Sequence, residues 1–421
     1  MREKGSEKGG KPGALEGIKV VDWTIWQFGP VAATMLGDLG ADVIKIEALD
    51  GDPGRSLMTL RGVDRGLEGG RNSYFEANHR NKRSIALDLK KEEGVAVAHA
   101  LVSEADVFIQ NFRQGVAERL GLGYEELREI RPSLIYGSGS GYGPKGPDSN
   151  LPALDTAGQA RSGLMFATGP DGAEPYPVQG VVADQVAGIT LAWGILAALV
   201  ARNIHGIGQR VDVSHLSSSM WLQGLAVSMG LLSRDKPKSE VNLSSAAARA
   251  RAYNPLSNYY RCEDGRWLML ANLQADRYWP SFARAVGLEH LIDDPRFHDT
   301  RARGDNCSEL IAILDEVFMQ KPYDEWDAIL REGGDFIFAP VQRLTELEKD
   351  AQVIANDYIT EVDHPVLGPS KFADHPVRYS ETPHSIRQVA PDLGEHTEEI
   401  LLELGYDWSR IARLQELGVI L

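Results

Sequence analysis

Short apolar runs alternate with longer stretches in which apolar positions recur every three or four residues, and this rhythm organises the first half of the chain. IKVVDW (18–23) reads as a buried strand, and in the turn TIWQFGP that follows, Pro30 is placed as a first helical residue. VAATMLGDLG then reads as a helix stopped by Gly40, and ADVIKIE (41–47) as the next strand, completing a β-α-β unit. A loop rich in Gly and Arg covers 50–70, and loops of that length are usually functional or mobile. SIALDLK gives a strand from Ser84, EEGVAVAHALVSEA a helix, DVFIQNF (106–112) a strand and GVAERLGLGYEELREI a helical stretch closed by Pro132. LIYGSGSGYG runs from Leu134 as a strand into glycine. Alternation of this kind predicts an α/β, doubly wound parallel sheet, whose ligands gather at the carboxyl ends of the strands. Those ends are Gln27-Phe28-Gly29, Lys90, Asn111-Phe112-Arg113 and 139–143.

The stretch GVVADQVAGITLAWGILAALVARN (180–203) has a β-branched lead-in, one acid at Asp184 and then an apolar helix with almost no polar face, predicting a buried helix. Gly188, Thr190 and Gly194 interrupt it and Arg202 ends it, which favours a core helix over a membrane span. Asp184 has two readings. It caps the helix, as Asp often does, or it is a carboxylate held ionised at a helix N-terminus and able to attack an acyl carbon. The pattern alone leaves both open. RVDVSHL reads as a further strand and SSSMWLQGLAVSMGLL as a helix. A polar, alanine-rich segment follows, then an aromatic hairpin, NYYRCEDGRWLML, turning at Glu263-Asp264-Gly265. Helices are expected at DRYWPSFARAVG, NCSELIAILDEVFMQ and YDEWDAILREGG, then short strands around YITEVDHPVLG and two final helices in HTEEILLELGY and WSRIARLQELG. The expected organisation is a flexible tail (1–15), a large domain (16–232), a linker (233–254), a smaller α+β domain (255–344) and a C-terminal segment (345–421). The hairpin aromatics and DRYWPSF either line an acceptor pocket or pack the small domain.

At 421 residues the chain exceeds one compact core. Its net charge of −16 argues against nucleic acid or an anionic membrane as partner. An anion would need positive charge gathered locally. NHRNKRS, with His79, Arg80, Lys82 and Arg83, supplies some, and Arg55, Lys90, Arg113 and Arg119 add to it from strand ends. Such a run is either a solvated loop or a patch for a ligand with several phosphates. The two cysteines, Cys262 and Cys307, make no disulfide framework, fit a reducing cytoplasm, and read as packing residues. The charged, glycine-rich N-terminus has no apolar core of a signal peptide, so the cytoplasm is expected. The turn after the first strand lacks a dinucleotide fingerprint, and G-x-G-x-x-G at 141–146 holds Pro144 and opens no helix. Neither a P-loop, metal-spaced His/Cys pairs nor a G-x-S-x-G elbow occurs.

LEGIKVVDW…GP…LGDLGADVIKIE, NHRNKRSIALDLK, ADVFIQNFRQGVAERLGLGYEEL, GYGPKGP…DTAGQARSG, GVVADQVAG…GILAAL, GQRVDVS, FAPVQ, EVDHPVLG and LGEHTEEIL together resemble the class III coenzyme A transferases (CaiB/BaiF type, formyl-CoA transferase-like), in the family's order from about residue 16 to 400. The resemblance implies a large Rossmann-like domain completed by 345–421, a small domain, and two interlocked subunits in a homodimer. It implies transfer of CoA between an acyl-CoA donor and a carboxylic acid acceptor, both substrates, with no tightly bound cofactor. Asp184 matches the family's nucleophile, which forms an acyl anhydride and then an aspartyl-CoA thioester. Gln27 matches a residue beside the thioester and is expected to be catalytic, with it or backbone N–H groups stabilising the developing oxyanion. CoA contacts are expected at Gln27, Phe28, Leu87, Asp88, Lys90, Asn111, Phe112, Arg113 and Arg119, with Arg80, Lys82 and Arg83 in the basic patch. Ala48 stands where the formyl-CoA branch has arginine, Arg113 where it has glycine, and Leu154 where many members have tyrosine. An α-methylacyl-CoA racemase would pair an Asp with a loop His, but no His lies between His99 and His205. A non-catalytic acyl-CoA binding protein is the remaining alternative.

Overall fold

The computed structural model describes residues 11–168, 174–233 and 249–421; most of the expected linker (233–254) and of the N-terminal tail (1–15) lies outside them. Two compact units divide the chain, one formed by residues up to Leu164, Pro177–Gly224 and Asp357–Leu421, the other by Met165–Tyr176 and Leu225–Asn356.

The first unit is built on β1 (Lys19–Trp23), β2 (Asp42–Glu47), β3 (Lys82–Ala86), β4 (Val107–Gln110), β5 (Ile135–Ser140) and β6 (Gln209–Ser214). They form one six-stranded sheet in the order β3-β2-β1-β4-β5-β6, with every neighbouring pair parallel. The sheet grows outward from β1 in one direction and then, from β4, in the other. The loops leaving β1 and β4 therefore diverge and open a crevice at the carboxyl edge.

Helices α1 (Phe28–Asp38), α2 (Ser73–His79), α3 (Glu92–Glu104), α4 (Asp155–Arg161), α5 (Val182–His205) and α6 (His215–Leu222) lie around this sheet. On one side Val20, Val107, Ile109 and Ile135 meet Ala32, Leu36, Ala187, Leu191, Ile195 and Leu199. Helices α1 and α5 approach closely because Gly188 has no side chain: a Cβ there would sit 2.7 Å from Val31 Cβ. On the other side Val21, Phe108 and Tyr136 pack with Leu101 of α3 and with Ile400, Leu401, Ile411 and Leu414 of the C-terminal helices.

Four sequence expectations change. β3 begins at Lys82, before Ser84, so Lys82 and Arg83 stand at its amino end. The stretch after β4 is two short helices, Val116–Arg119 and Tyr124–Ile130, separated where Gly121 turns left-handed (φ 68°). The helix after β6 is likewise two, His215–Leu222 and Gly224–Leu232. Finally, α5 is not buried all round. Ala187, Leu191, Ile195 and Leu199 face the sheet, whereas Ile189, Trp193, Val200 and Ile204 are exposed by 40, 68, 57 and 68 %.

The second unit has a three-stranded antiparallel sheet of Tyr259–Arg261, Trp267–Leu270 and Phe338–Val341, in which Trp267–Leu270 is central. Helices Ala275–Ala285, Cys307–Phe318 and Tyr323–Gly333 accompany it. Tyr260, Trp279, Phe282, Phe318 and Trp326 interlock in its core. Tyr260 and the DRYWPSF aromatics Trp279 and Phe282 are thus packing residues, not pocket lining. Cys262 is buried as well, and that burial pushes its thiol up to about 11.

Candidate active site

The site starts from how α5 begins. Its N-cap is Val181, held at φ 57° with no side-chain cap bond, an uncommon place for a β-branched residue. The cap is supplied from another helix. Asp155 Oδ1 accepts the Ala183 N–H at 2.7 Å and the Asp184 N–H at 3.4 Å, and Asp155 Oδ2 accepts from Gln159 Nε2 at 2.7 Å. The capping reading of Asp184 is therefore corrected, and its carboxylate is free for another partner.

That partner is His215. Its Nε2 lies 2.5 Å from Asp184 Oδ1, with both side chains buried. An ionised carboxylate only accepts, so Nε2 is the protonated nitrogen. His215 is the first residue of α6, whose start is fixed by a reciprocal Ser214–Ser217 capping box. Its ring lies 4.9 Å from that of Phe28, centroid to centroid. Gly158 makes room on the other side, since a Cβ there would stand 2.6 Å from His215 Cβ. Sequence reasoning missed this histidine because it inspected the stretch between His99 and His205. The available signal was position: a polar residue immediately beyond β6, at the same carboxyl edge as the other candidates. Tyr74 is a second omission. Burial raises its phenol pKa, and the negative charges of Asp184, Asp52 and Asp155 raise it further.

Asp184 and His215 open on a cavity of about 640 Å³ that is also lined by Trp26, Phe28, Asn111, Arg113, Gly141, Ala153 and Leu154. A second cavity of about 600 Å³ is lined by Glu47, Ala48, Leu87, Asp88, Lys90 and Leu120. Ile25, Phe112 and Val116 line both, so the two adjoin along the carboxyl edge of the sheet and are called its groove below. Its floor is pinned by Asn111, which accepts the Ile25 N–H at 2.9 Å and donates to the Ile25 carbonyl at 2.8 Å. Trp26 is left-handed (φ 67°), and its N–H donates to Asp52 Oδ1 at 3.2 Å. Gln27 is buried and donates to Gln185, the neighbour of Asp184, at 3.1 Å. The three positions that depart from the family pattern, Ala48, Arg113 and Leu154, all line the groove.

The expected residues sort into two groups. Phe28, Asn111, Phe112 and Arg113 line the groove near Asp184, and Leu87, Asp88 and Lys90 line its far half. Lys90, Arg113 and the nearby Arg119 are exposed, with no ion-pair partner among the described residues. Arg80, Lys82 and Arg83 are elsewhere, and the basic patch expected from NHRNKRS is corrected. Arg80 is buried against Asp38 (2.7 Å); Arg83 binds Asp42, Glu399 and Glu403 at 2.8, 3.0 and 2.9 Å. Lys82 is fully buried, donating to Asp22 at 2.8 Å and to the Pro30 carbonyl at 3.0 Å. The reason is polarity along the strand: these residues precede or begin β3, whereas Leu87, Asp88 and Lys90 follow it. Arg55 is similarly held by Glu47 at 2.7 Å.

Lys82 belongs to a knot of buried charge under the groove. Lys45 donates to Asp52 at 3.0 Å and to the Thr24 carbonyl at 2.8 Å. Burial pushes Lys82 down to about 8 in spite of Asp22. Burial, with the Lys82 and Lys45 charges added, pushes the His79 imidazole down to about 4. Burial opposes the Asp52 charge, but Lys45, His79 and the Gly54 N–H hold its carboxyl below the usual range.

Fold and groove define the class: an α/β protein with a carboxylate–imidazole pair at the ligand-binding edge of a six-stranded parallel sheet. The sequence profile of CoA-transferase family III matches residues 15–397. The chain belongs to that family and is a CoA-transferase. It is 32 % identical over 408 residues to the (R)-2-hydroxy-4-methylpentanoate CoA-transferase of Clostridioides difficile, covering 96 % of this chain and 99 % of that one. It is also 32 % identical over 409 residues to human succinyl-CoA:glutarate CoA-transferase, covering 96 % and 90 %. A CaiB/BaiF family protein from Brucella suis superposes with a TM-score of 0.79 at 29 % identity, over 94 % of this chain and 100 % of that one. The family resemblance read from the motifs is thereby borne out.

Proposed function

We propose that the protein moves CoA from an acyl-CoA donor to a free carboxylic acid, with Asp184 as the covalent carrier. One observation carries this reading: Asp155 does the capping at α5, leaving the buried Asp184 carboxylate facing the groove. Asp184 attacks the donor carbonyl, giving a mixed anhydride and CoA thiolate. The thiolate then attacks the aspartyl carbon, giving aspartyl-CoA and releasing the donor acid. The acceptor acid runs both steps in reverse. A carboxylate is a weak nucleophile, and holding it against a bound thioester compensates. The pantetheine arm runs along the groove from Lys90 toward Asp184. Lys90 and Arg119 meet the phosphates, while Gln27, Phe28, Leu87, Asp88, Asn111, Phe112 and Arg113 complete the binding path. CoA and its thioesters are substrates here, with no tightly bound cofactor.

The Asp184–His215 contact favours transfer over racemisation. A racemase sets its two proton-transfer groups on opposite faces of the substrate carbon, and here the two candidates are bonded to each other. Turnover separates the transferase from a non-catalytic acyl-CoA binding protein. The test is incubation with succinyl-CoA or cinnamoyl-CoA, reduction with borohydride and peptide mapping. The adduct is expected on Asp184 and absent from Asp184→Ala; an unmodified Asp184 during active transfer would refute the proposal.

The same reading includes a homodimer in the cytoplasm with a Rossmann-like large domain. The exposed stripe of Ile189, Trp193, Val200 and Ile204 on α5 supports the dimer, because monomers rarely leave such a contiguous apolar face uncovered. By length and composition α5 also suits a membrane span, but its other face is packed into the sheet core. Light scattering is expected to give twice the chain mass for the wild type and a lower mass for Trp193→Glu. A wild-type monomer would contradict the dimer.

A further inference from the structure

The geometry points to His215 as the donor that stabilises negative charge on Asp184 itself, an inference that rests on Asp184 being the carrier. Two kinds of tetrahedral intermediate occur in the proposed cycle. In one, charge develops on the oxygen of the bound acyl group. In the other, CoA thiolate attacks Asp184 Cγ, the S–C bond forms, and the carbonyl electron pair moves onto the aspartyl oxygen that is not part of the anhydride. That intermediate collapses by breaking Cγ–Oδ2, and the donor acid leaves as a carboxylate carrying Oδ2. No proton moves and no further reactant is needed. The charged oxygen in this step is Oδ1, the atom that His215 Nε2 already faces at 2.5 Å. The same intermediate forms again when the acceptor acid attacks aspartyl-CoA.

Three features suit His215 to this duty. Phe28 packs against the imidazole and the bare Cα of Gly158 against the His215 Cβ, so the donor is aimed before charge develops. The site is buried, where one donor counts for more than in water. Nδ1 has no hydrogen-bond partner among the described residues, so none of them competes for the ring's orientation. Bonding to Oδ1 also leaves Oδ2 as the attacking oxygen.

The test compares His215→Gln, whose amide N–H can reach Oδ1, with His215→Leu. Succinyl-CoA or cinnamoyl-CoA, labelled separately in the acyl and CoA parts and chosen by which one labels the wild type, is mixed with enzyme and quenched. Wild type and His215→Gln are expected to carry mainly CoA on Asp184. His215→Leu is expected to keep the acyl label, lose at least tenfold of the CoA adduct, and lose about a hundredfold in kcat. Its KM for the acyl-CoA should stay within about threefold, since His215 bonds Asp184 with or without substrate and makes no contact of its own with the bound acyl-CoA in this proposal. Thermal melting confirms that both variants are folded. An unchanged adduct ratio in a folded His215→Leu, or equal damage in a folded His215→Gln, would overturn the role of His215. Label found on a residue other than Asp184 in the wild type would instead overturn the carrier assignment.

Discussion

Two clusters of buried charge lie close together in the first unit, and they are satisfied very differently. In the knot below the groove, Lys45 has Asp52 and a carbonyl, Lys82 has Asp22 and a carbonyl, and Asp52 also receives backbone N–H groups. At the site, among the described residues, Asp184 Oδ1 has the single donor His215, and His215 Nδ1 has no partner. Burying charge costs several kcal/mol unless partners replace the lost water, so two lysines that each have a carboxylate and a carbonyl are built to stay as they are, although the neutral His79 beside them leaves its Nε2 without a hydrogen bond among the described residues. An under-partnered cluster that opens on a cavity has capacity left for a substrate. The number of partners on the charged groups, more than burial, separates scaffold from chemistry here.

Substitutions at the two clusters should therefore fail in opposite ways. Asp184→Asn, which keeps an oxygen for His215 and loses the nucleophile, is expected to lower transfer by at least about 10³-fold while unfolding stability changes by less than about 1 kcal/mol. Lys45→Met leaves Asp52 short of its main counter-charge and should cost about 3–5 kcal/mol of stability in urea unfolding. Equal stability losses at both positions would erase the distinction.

The knot also predicts a pH effect. His79 falls from its usual 6.5 to about 4 in the folded protein, chiefly through burial. Between those values the unfolded chain binds the proton and the folded one does not, so stability rises with pH across that window. Acidification from 6.5 to 4 removes about 3 kcal/mol through this residue. His79→Leu should flatten the dependence of unfolding free energy on pH over that range; an unaltered slope would show that His79 does not titrate as described.

The smallest effect belongs to the open cations. Lys90→Ala or Arg113→Ala should raise KM for the acyl-CoA by about three- to tenfold, more at low salt than at high, with kcat little changed. The same change at Arg83, already paired with three carboxylates, should leave KM unaltered. The reverse pattern would restore the basic patch read from the sequence.

Much of the parallel sheet was legible because β1, β2, β4 and β5 are short runs buried almost throughout, and their length and regular alternation with longer helical periodicities mark them as strands of a sheet covered on both faces. Asp184 was legible as an isolated acid at a helix start, and the family motifs gave it a role. Its freedom from capping was not legible, because the cap comes from Asp155 on another helix. His215 was missed for a similar reason: only the parallel pairing of β5 with β6 brings 215 to the edge that holds 184. NHRNKRS misled because a string of cations shows neither which end of a strand it occupies nor which acids await it. Asp22, Asp38 and Asp42 are distant in sequence and adjacent in the fold.

The most direct test of the carrier assignment follows oxygen. If Asp184 forms an anhydride and is regenerated from it, the carboxylate gives an oxygen to the departing donor acid and takes one from the acceptor. After many turnovers with an acceptor acid whose carboxyl carries heavy oxygen, the peptide containing Asp184 should gain the isotope, and no other peptide should. Sustained transfer with that peptide still at its natural mass would contradict the account.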